Sequence, residues 1–199
     1  MTDFHTVFIL SFVAVIVYVY WTGEHGEVAY VVSTVDNSKY LVRKMEDSTR
    51  AADLLATVKS RLVKFCDHMK EKYPKNEDIS RLIKRFNPNV ITEAGKSGKY
   101  TSYSVNKGEK IVLCLRSRDE KEQLEDINTL MFVSLHELSH ISCPELNHTN
   151  RFWEIFKFFL KEAIAIQIYE YVNYNANNYE YCGISISSTP LKPAELVAK

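Results

Sequence analysis

The chain has 199 residues, 46% hydrophobic and 25% charged, which suffices for one well-packed domain and excludes a large multidomain protein. Its 25 Lys and Arg residues balance its 25 Asp and Glu residues, so no overall charge attracts it to nucleic acid or to an acidic membrane. Only 6 Gly and 5 Pro residues and no evident repeat exclude a collagen-like, largely disordered or solenoid protein.

The first feature along the chain is an apolar run from Val7 to Trp21 that contains no charged residue. As a helix it would be about 22 Å long, close to the thickness of the hydrocarbon core of a bilayer. We therefore predict that residues 1–24 form an N-terminal hydrophobic helix that anchors the protein in a membrane through residues 4–21. A buried β-rich segment is the alternative, because Val, Ile, Phe and Tyr favour strands.

Charged residues on either side of this run predict its orientation. Asp3 is the only ionised side chain before the run, whereas Lys39 and Arg43 follow it, which favours a cytosolic C-terminal domain. We expect a single-pass membrane protein with its main domain on the cytosolic side. A soluble cytoplasmic protein is the alternative.

The cysteines lie far apart in the sequence and form no C-x-x-C pair. This spacing is typical neither of a disulfide-rich scaffold nor of a cysteine-based zinc site. We expect buried free thiols, as in a reducing compartment, at Cys66, Cys114, Cys143 and Cys182.

Two helices are predicted in the first half of the chain. Apolar residues recur at helical spacing from Ala51 to Met69, and Pro74 ends this pattern. A shorter amphipathic pattern ends before Pro88. Residues 36–85 carry 13 basic and 8 acidic side chains, which leaves nucleic-acid binding as a less favoured alternative to a solvated helix surface.

Strands are predicted on both sides of these helices. Residues 26–42 contain two β-prone stretches around a polar turn, and residues 100–105 and 110–115 flank a Gly-containing turn. We predict an α+β domain over residues 25–190, in which the second hairpin provides the edge strand of a small sheet. Residues 191–199 are predicted to form a surface tail.

The sequence His136-Glu137-Leu138-Ser139-His140 is an H-E-x-x-H motif in an apolar helical segment that Asp126 or Asn128 can cap. Residues four apart project from the same face of a helix, so His136 and His140 can bind one tetrahedral metal ion. Glu137 can then act as general base for water at the open position of the metal. This pattern predicts a catalytic zinc site.

A catalytic zinc site needs a third protein ligand, and His148 is the best candidate. Pro144 ends the helix and allows the chain to turn back toward the first two histidines. Three alternatives carry suitable ligand atoms, namely Cys143, Glu145 and Glu162.

The segment HELSHISCPELNHTNRFWEIFKFFL resembles the zinc site of the SprT-like, Spartan and WLM family of minimal zincin metalloproteases. In that family a third histidine and an aromatic pair, here Phe152 and Trp153, follow the H-E-x-x-H motif. The resemblance implies that Glu137 is the catalytic base and that zinc is bound by His136, His140 and His148. The stretch between the second and third histidines is longer than the short glycine-containing turn usual in WLM proteins, which indicates a divergent member.

The sequence after the motif predicts a supporting helix, followed by a turn and a short strand. Apolar residues at helical spacing predict a helix over residues 150–171 that packs beneath the zinc helix. The stretch that follows passes where related zincins place the floor of the metal site. Tyr179 or Tyr181 could donate a hydrogen bond there to the tetrahedral oxyanion, and a buried structural role is the alternative.

Taken together, these features predict a zinc metalloprotease that hydrolyses peptide bonds of a protein or peptide substrate, with Glu137 as general base. The competing hypothesis is a non-catalytic, zinc-stabilised, membrane-tethered interaction domain. A third hypothesis follows from the resemblance, which implies proteolysis of proteins attached to DNA. The neutral charge and the predicted anchor weaken that third hypothesis.

Overall fold

The computed structural model describes residues 3–22, 24–96, 100–176 and 178–196, and these fold as a mixed α+β protein, as predicted. The helices are α1 (Phe4–Thr22), α2 (Glu24–Glu27), α3 (Ser48–Lys72), α4 (Glu77–Arg85), α5 (Ile127–Ser142) and α6 (Asn150–Ala165). The strands are β1 (Val28–Val32), β2 (Lys39–Arg43), β3 (Ile91–Glu93), β4 (Tyr103–Val105), β5 (Lys110–Leu113), β6 (Tyr179–Tyr181) and β7 (Ile184–Ile186). A 3-10 turn spans Pro193–Glu195.

The strands form three small sheets. β1 pairs with β2, and β6 pairs with β7, both antiparallel. In the third sheet, the central strand β5 runs parallel to β3 and antiparallel to β4. The predicted hairpin is therefore present, and β4 lies at the edge of its sheet.

The turn between β4 and β5 requires a glycine. Three successive residues, Asn106, Lys107 and Gly108, have positive φ, and Gly108 lies against the end of α4. A Cβ atom at Gly108 would lie 2.7 Å from the carbonyl oxygen of Arg85. Because real side chains do not approach a backbone atom so closely, Gly108 fixes how the hairpin packs on α4.

Helix α5 lies at the centre of the core. It packs against α3, α4, α6 and the sheet, so apolar residues are needed on most of its faces. The Asp126 carboxylate accepts hydrogen bonds from the N–H groups of Asn128 and Thr129 and caps its start, as predicted. The fully buried apolar side chains of α5 are Leu130, Met131, Leu135, Leu138 and Ile141.

The N-terminal hydrophobic segment is helical, as predicted, and the side chains of residues 4–19 are exposed. Among the described residues, we find no helix that combines the length and the apolar character needed to cross a membrane. The predicted membrane span over residues 4–21 is therefore not supported. Residues 1, 2 and 23 of the predicted anchor lie outside the described residues.

Helix α6 is shorter than the sequence pattern predicted. It ends at Ala165 instead of Tyr171, because Gln167 adopts a positive φ of 58° that a continuing helix does not allow. Of the predicted tail, Leu191 is fully buried and Glu195 forms an ion pair with Lys157 of α6. Residues 197–199 lie outside the described residues.

The prediction of free thiols is wrong for two of the four cysteines. Cys114, just after β5, forms a disulfide with Cys182, in the turn between β6 and β7. These residues are 68 positions apart, and tertiary packing brings them together, with the Tyr181 hydroxyl donating to the carbonyl oxygen of Cys114. Cys66 and Cys143 are free and buried, as expected.

Candidate metal centre

Three histidine side chains converge on one point beside the C-terminal half of α5. The Nε2 atoms of His136 and His140 lie 3.2 Å apart. The Nε2 atom of His148 lies 3.0 Å from that of His136 and 3.1 Å from that of His140. The three nitrogens form a nearly equilateral triangle, and among the described residues this is the group of side chains that could hold a metal ion.

Helical geometry and a fixed loop bring these nitrogens together. His136 and His140 lie one turn apart on α5, which ends at Ser142, before Pro144. The loop that follows returns His148 to the same face, and the Lys107 ammonium group holds the start of this loop. Its Nζ donates to the carbonyl oxygens of Cys143 at 3.0 Å, Pro144 at 3.4 Å and Glu145 at 3.1 Å.

The aromatic pair after His148 supports the three imidazole rings. The ring of Phe152 is fully buried and stacks on His140, with 4.3 Å between ring centroids. It also contacts His136 and His148 edge-on, at 4.9 and 4.8 Å. Trp153 lies against the outer face of the His148 ring at 5.5 Å. Because one ring touches all three histidines, Phe152 restricts their rotation.

The environment keeps the two helical histidines neutral. Burial, together with the positive charges that His140 and His148 would carry, lowers the pKa of His136 to about 3. Burial also lowers the pKa of His140 to about 4, with contributions from His148 and from Lys107. Neutral imidazoles have a free lone pair, which is the form that binds metal ions.

Glu137 lies next to the triangle of nitrogens and is 5% exposed. Burial raises the pKa of its carboxyl group to about 7, although hydrogen bonds from the backbone and hydroxyl of Ser104 oppose this rise. Ser104 is the middle residue of the edge strand β4. The Glu137 carboxyl group is therefore placed to exchange a proton near neutral pH.

Two cavities open on either side of His136 and Glu137. One, of about 340 Å³, extends toward the start of α5 and the β6–β7 hairpin. The other, of about 350 Å³, extends past Ser104 toward His140 and His148. Because His136 and Glu137 line both cavities, the site lies between two adjacent cavities beside β4, which together are called the cleft below.

Of the four candidates for the third ligand, His148 joins the converging group and the other three lie elsewhere. Cys143 is fully buried, and Glu145 is exposed in the wall of the cleft. Glu162 accepts hydrogen bonds from three side chains of the α3 region, His68, Lys72 and Tyr73. None of the three alternatives belongs to the converging group found among the described residues.

The two candidate tyrosines lie in different places. The Tyr179 hydroxyl lies 3.0 Å from the carboxylate of Asp126, at the start of α5, and it does not line either cavity. The Tyr181 ring lines the first cavity, and its hydroxyl donates to the carbonyl oxygen of Cys114 at 2.7 Å. Oxyanion stabilisation stays a prediction, and Tyr181 is the tyrosine whose ring borders the site.

Three residues of the site were not singled out from the sequence for their roles. Ser104 and Lys107 come from the β4–β5 hairpin, and tertiary packing alone brings them to α5. Phe152 was named from the sequence only as part of the aromatic pair, and its fully buried ring contacts every candidate ligand. The aromatic residues shortly after His148 were the sequence signal from which this supporting role of Phe152 could have been predicted.

The fold and the site together define an α+β protein in which three histidines, next to a buried glutamate, could hold a metal ion. The chain belongs to the WLM domain family, whose sequence model matches residues 68–194. This membership confirms the resemblance found in the sequence and indicates a function of the metallopeptidase type.

Several known proteins are similar to this chain. It is 35% identical to uncharacterized protein R325 of Acanthamoeba polyphaga mimivirus over 198 residues, which cover 96% of this chain and 100% of that protein. It is 28% identical to uncharacterized protein 136R of Invertebrate iridescent virus 6, over 73% of this chain and 83% of that protein. The crystal structure of Wss1 from Saccharomyces cerevisiae matches with a TM-score of 0.47 and 21% identity, over 61% of this chain and 83% of Wss1.

Proposed function

We propose that this protein is a zinc-dependent metallopeptidase that hydrolyses peptide bonds of a protein substrate. The observation that carries the proposal is the convergence of three histidine nitrogens beside a buried glutamate, between two adjacent cavities. Membership of the WLM domain family supports the same class of activity.

The donor set fits zinc. Imidazole nitrogens bound to tetrahedral zinc at about 2.05 Å lie about 3.3 Å from each other. The observed separations of 3.0–3.2 Å are close to this value. Three nitrogen ligands leave one position open, which is the arrangement of catalytic zinc sites. His136, His140 and His148 would hold the ion.

Glu137 would serve as the general base. Zinc, when bound, supplies a Lewis acid that polarises the scissile carbonyl and acidifies water. The Glu137 carboxylate takes a proton from the attacking water and delivers it to the nitrogen of the leaving amine. Ser104 of β4 is the polar partner of this carboxylate, and burial of the carboxylate favours proton exchange near neutral pH.

The edge strand β4 would orient the substrate. Its neighbour on one side is β5, and its other edge borders the cleft beside Glu137. An extended peptide can therefore add to this sheet as a further strand, with its backbone held by hydrogen bonds. Such binding selects an unfolded or flexible segment of a protein, because folded segments do not present a free strand.

The competing hypothesis of a purely structural zinc site receives less support. Structural zinc is closed by four protein ligands, whereas three side chains converge here among the described residues. A structural site also has no need for a buried carboxylate beside it. Glu137 and the open cleft therefore favour catalysis.

The test compares zinc content and casein cleavage in the parent chain and in Glu137→Gln. We expect one zinc ion per chain in both proteins, and a loss of cleavage of about 10²- to 10⁴-fold in the variant. Metal content is measured by atomic emission, and cleavage is followed by electrophoresis. Equal cleavage by the two proteins would refute the role of Glu137, and absence of zinc from the parent would refute the metal site.

A further inference from the structure

We propose that three charged residues hold the two ends of the loop that carries His148 and thereby position the third zinc ligand. They are Asp78 and Arg81 of α4 and Arg151 of α6. The loop comprises residues 143–149, between α5 and α6, and is called the ligand loop below. This inference rests on the proposed function and adds residues outside the metal centre on which its geometry depends.

The ligand loop has little packing of its own. Residues 144–148 are exposed. Within the described ranges of the chain, none of them takes part in a backbone–backbone hydrogen bond. A segment with so few internal contacts does not hold one shape by itself. The position of His148 relative to His140 therefore depends on how the two ends of the loop are held.

The first end of the ligand loop is fixed to α4. The guanidinium group of Arg81 donates to the carbonyl oxygen of Ser142, the last residue of α5, at 2.6 Å. The hydroxyl group of Ser142 donates to the backbone carbonyl oxygen of Asp78 at 2.9 Å. Because Ser142 is fully buried and lies two residues after His140, these bonds fix the helix end that carries the second ligand.

The second end of the ligand loop is fixed to the side chain of the same aspartate. Asp78 Oδ2 accepts a hydrogen bond from the guanidinium group of Arg151, which follows His148 by three residues. Asp78 Oδ1 accepts from Arg81 at 2.9 Å. Hydrogen bonds between charged groups are among the strongest in proteins. One carboxylate therefore joins the end of α5, through Arg81, to the start of α6, through Arg151.

Burial makes this connection specific. The side chains of Asp78 and Arg81 are 11% and 23% exposed, so salt and water screen their charges less than at the surface. Two guanidinium groups share the one carboxylate, and removal of that carboxylate would leave two cations without their common partner. The three charges therefore act as one unit that fixes the separation of the two loop ends.

Zinc binding is sensitive to this separation. Zinc takes imidazole nitrogens at about 2.0–2.1 Å, so a small displacement of His148 weakens its bond to the ion. Residues that orient metal ligands without touching the metal typically change affinity by about 10- to 100-fold. We expect an effect of this size when one arm of the connection is removed.

The test measures the zinc affinity of the full chain, by competition with a chelating dye, in the parent and in two variants of Arg151. The Arg151 side chain is 46% exposed, so a change there spares the core. We expect about tenfold weaker zinc binding in Arg151→Met. Arg151→Lys keeps the positive charge and should stay within about threefold of the parent.

Glu154→Gln is the matched control, because Glu154 is the other carboxylate that pairs with Arg151, at 3.4 Å. This variant removes an ion pair of the same arginine and leaves the bond to Asp78 in place. It should bind zinc as tightly as the parent. Weaker binding in Glu154→Gln than in Arg151→Met would contradict the assignment of the positioning contact to Asp78.

Repeating Arg151→Met in the His148→Ala background shows whether Arg151 acts through His148. We expect less than about twofold further loss of zinc affinity there, because the ligand that Arg151 positions is already absent. Cobalt(II) in place of zinc gives a second readout, since its visible absorption weakens when water replaces a nitrogen ligand. Arg151→Met should show this weakening in the His148 background only. An equal loss of affinity in both backgrounds would indicate a general effect on the fold and would overturn the inference.

Asp78→Asn weakens both arms of the connection and should reduce zinc affinity at least as much as Arg151→Met. The Arg151 variants keep the test valid even if Asp78→Asn fails to fold. Equal zinc affinity in Arg151→Met and the parent would overturn the inference while leaving the proposed function intact. Absence of zinc from the parent would instead refute the proposed function and this inference with it.

Discussion

Two buried carboxylates on consecutive helices have opposite properties. Glu137 on α5 and Glu162 on α6 are 5% and 8% exposed. Burial raises the pKa of Glu137 to about 7, and hydrogen bonding by Ser104 only partly opposes this rise. Burial also raises the pKa of Glu162, but hydrogen bonds from His68, Lys72 and Tyr73 outweigh it, so the pKa lies below its ordinary value.

The histidine beside Glu162 and the three histidines of the metal centre also differ in their partners. His68 binds the carboxylate of Glu162 at 2.7 Å, and the positive charge of Lys72 completes this cluster. The three histidines of the metal centre have no carboxylate bound to their converging Nε2 atoms within the described residues. A structural cluster satisfies its polar groups internally, whereas a binding site keeps lone pairs for a ligand. The predictions below test this distinction.

The largest effect is expected when a histidine of the metal centre is removed, in comparison with removal of a histidine that only supports the structure. His148→Ala should lower the affinity for zinc by at least about a hundredfold, because it removes a ligand. His68→Ala should leave zinc affinity unchanged and should lower the free energy of unfolding by about 1 kcal/mol, because Glu162 loses a donor. Competition with a chelating dye and urea unfolding measure the two quantities. Unchanged zinc affinity in His148→Ala would show that His148 is not the third ligand and would leave Cys143, Glu145 and Glu162 as candidates.

A smaller effect is expected at Lys107, which holds the loop that carries His148. Lys107→Met removes three donors from the carbonyl oxygens of residues 143–145 but keeps much of the side-chain volume. We expect about 10- to 100-fold weaker zinc binding, as for other residues that orient ligands. Lys110→Met, on the same hairpin, is the matched control. Equal affinity in both variants would show that the loop holds its shape without Lys107.

The Glu162 cluster should contribute stability without affecting catalysis. Glu162→Gln should lower the free energy of unfolding by about 1–2 kcal/mol, because the charge-assisted hydrogen bonds are weakened. Glu154→Gln is the matched control on the same helix, since the Glu154 side chain is 69% exposed. Urea unfolding compares them with the parent. A loss of zinc from Glu162→Gln would contradict the structural role of this carboxylate.

The contribution of Glu162 should also depend on pH. A carboxyl group whose pKa is lower in the folded state stabilises the fold above its unfolded pKa of about 4.3. That contribution disappears as the pH falls through the folded-state pKa. The difference in unfolding free energy between the parent and Glu162→Gln should therefore be largest at neutral pH and narrow toward about pH 3. If this difference in unfolding free energy stayed constant across the pH range, Glu162 would stabilise the fold through packing and not through its charge.

Local patterns predicted the parts of the molecule that depend on local geometry. The spacing of His136 and His140 placed both on one face of a helix, and Asp126 was one of the two caps predicted for that helix. The end of α6 was missed, because the helical pattern continues past Gln167, whose positive φ ends the helix.

Contacts between distant segments could not be predicted in this way. Ser104 and Lys107 reach α5 through the packing of a hairpin, and no sequence motif marks either residue. The pairing of Cys114 with Cys182 joins two segments whose proximity exists only in the folded chain. The predicted membrane span rested on the length and the apolar composition of one segment, and among the described residues no helix meets both requirements for crossing a membrane.

The disulfide between Cys114 and Cys182 has a consequence for the fate of a nicked chain. Between these cysteines in the sequence lie His136, Glu137, His140 and His148. Leu146 also lies there and is 71% exposed in the loop before His148. If a protease cuts this loop, the two fragments stay covalently joined. They would migrate together in a non-reducing gel and separate after treatment with a thiol reductant, so internal self-cleavage would become visible by size after reduction.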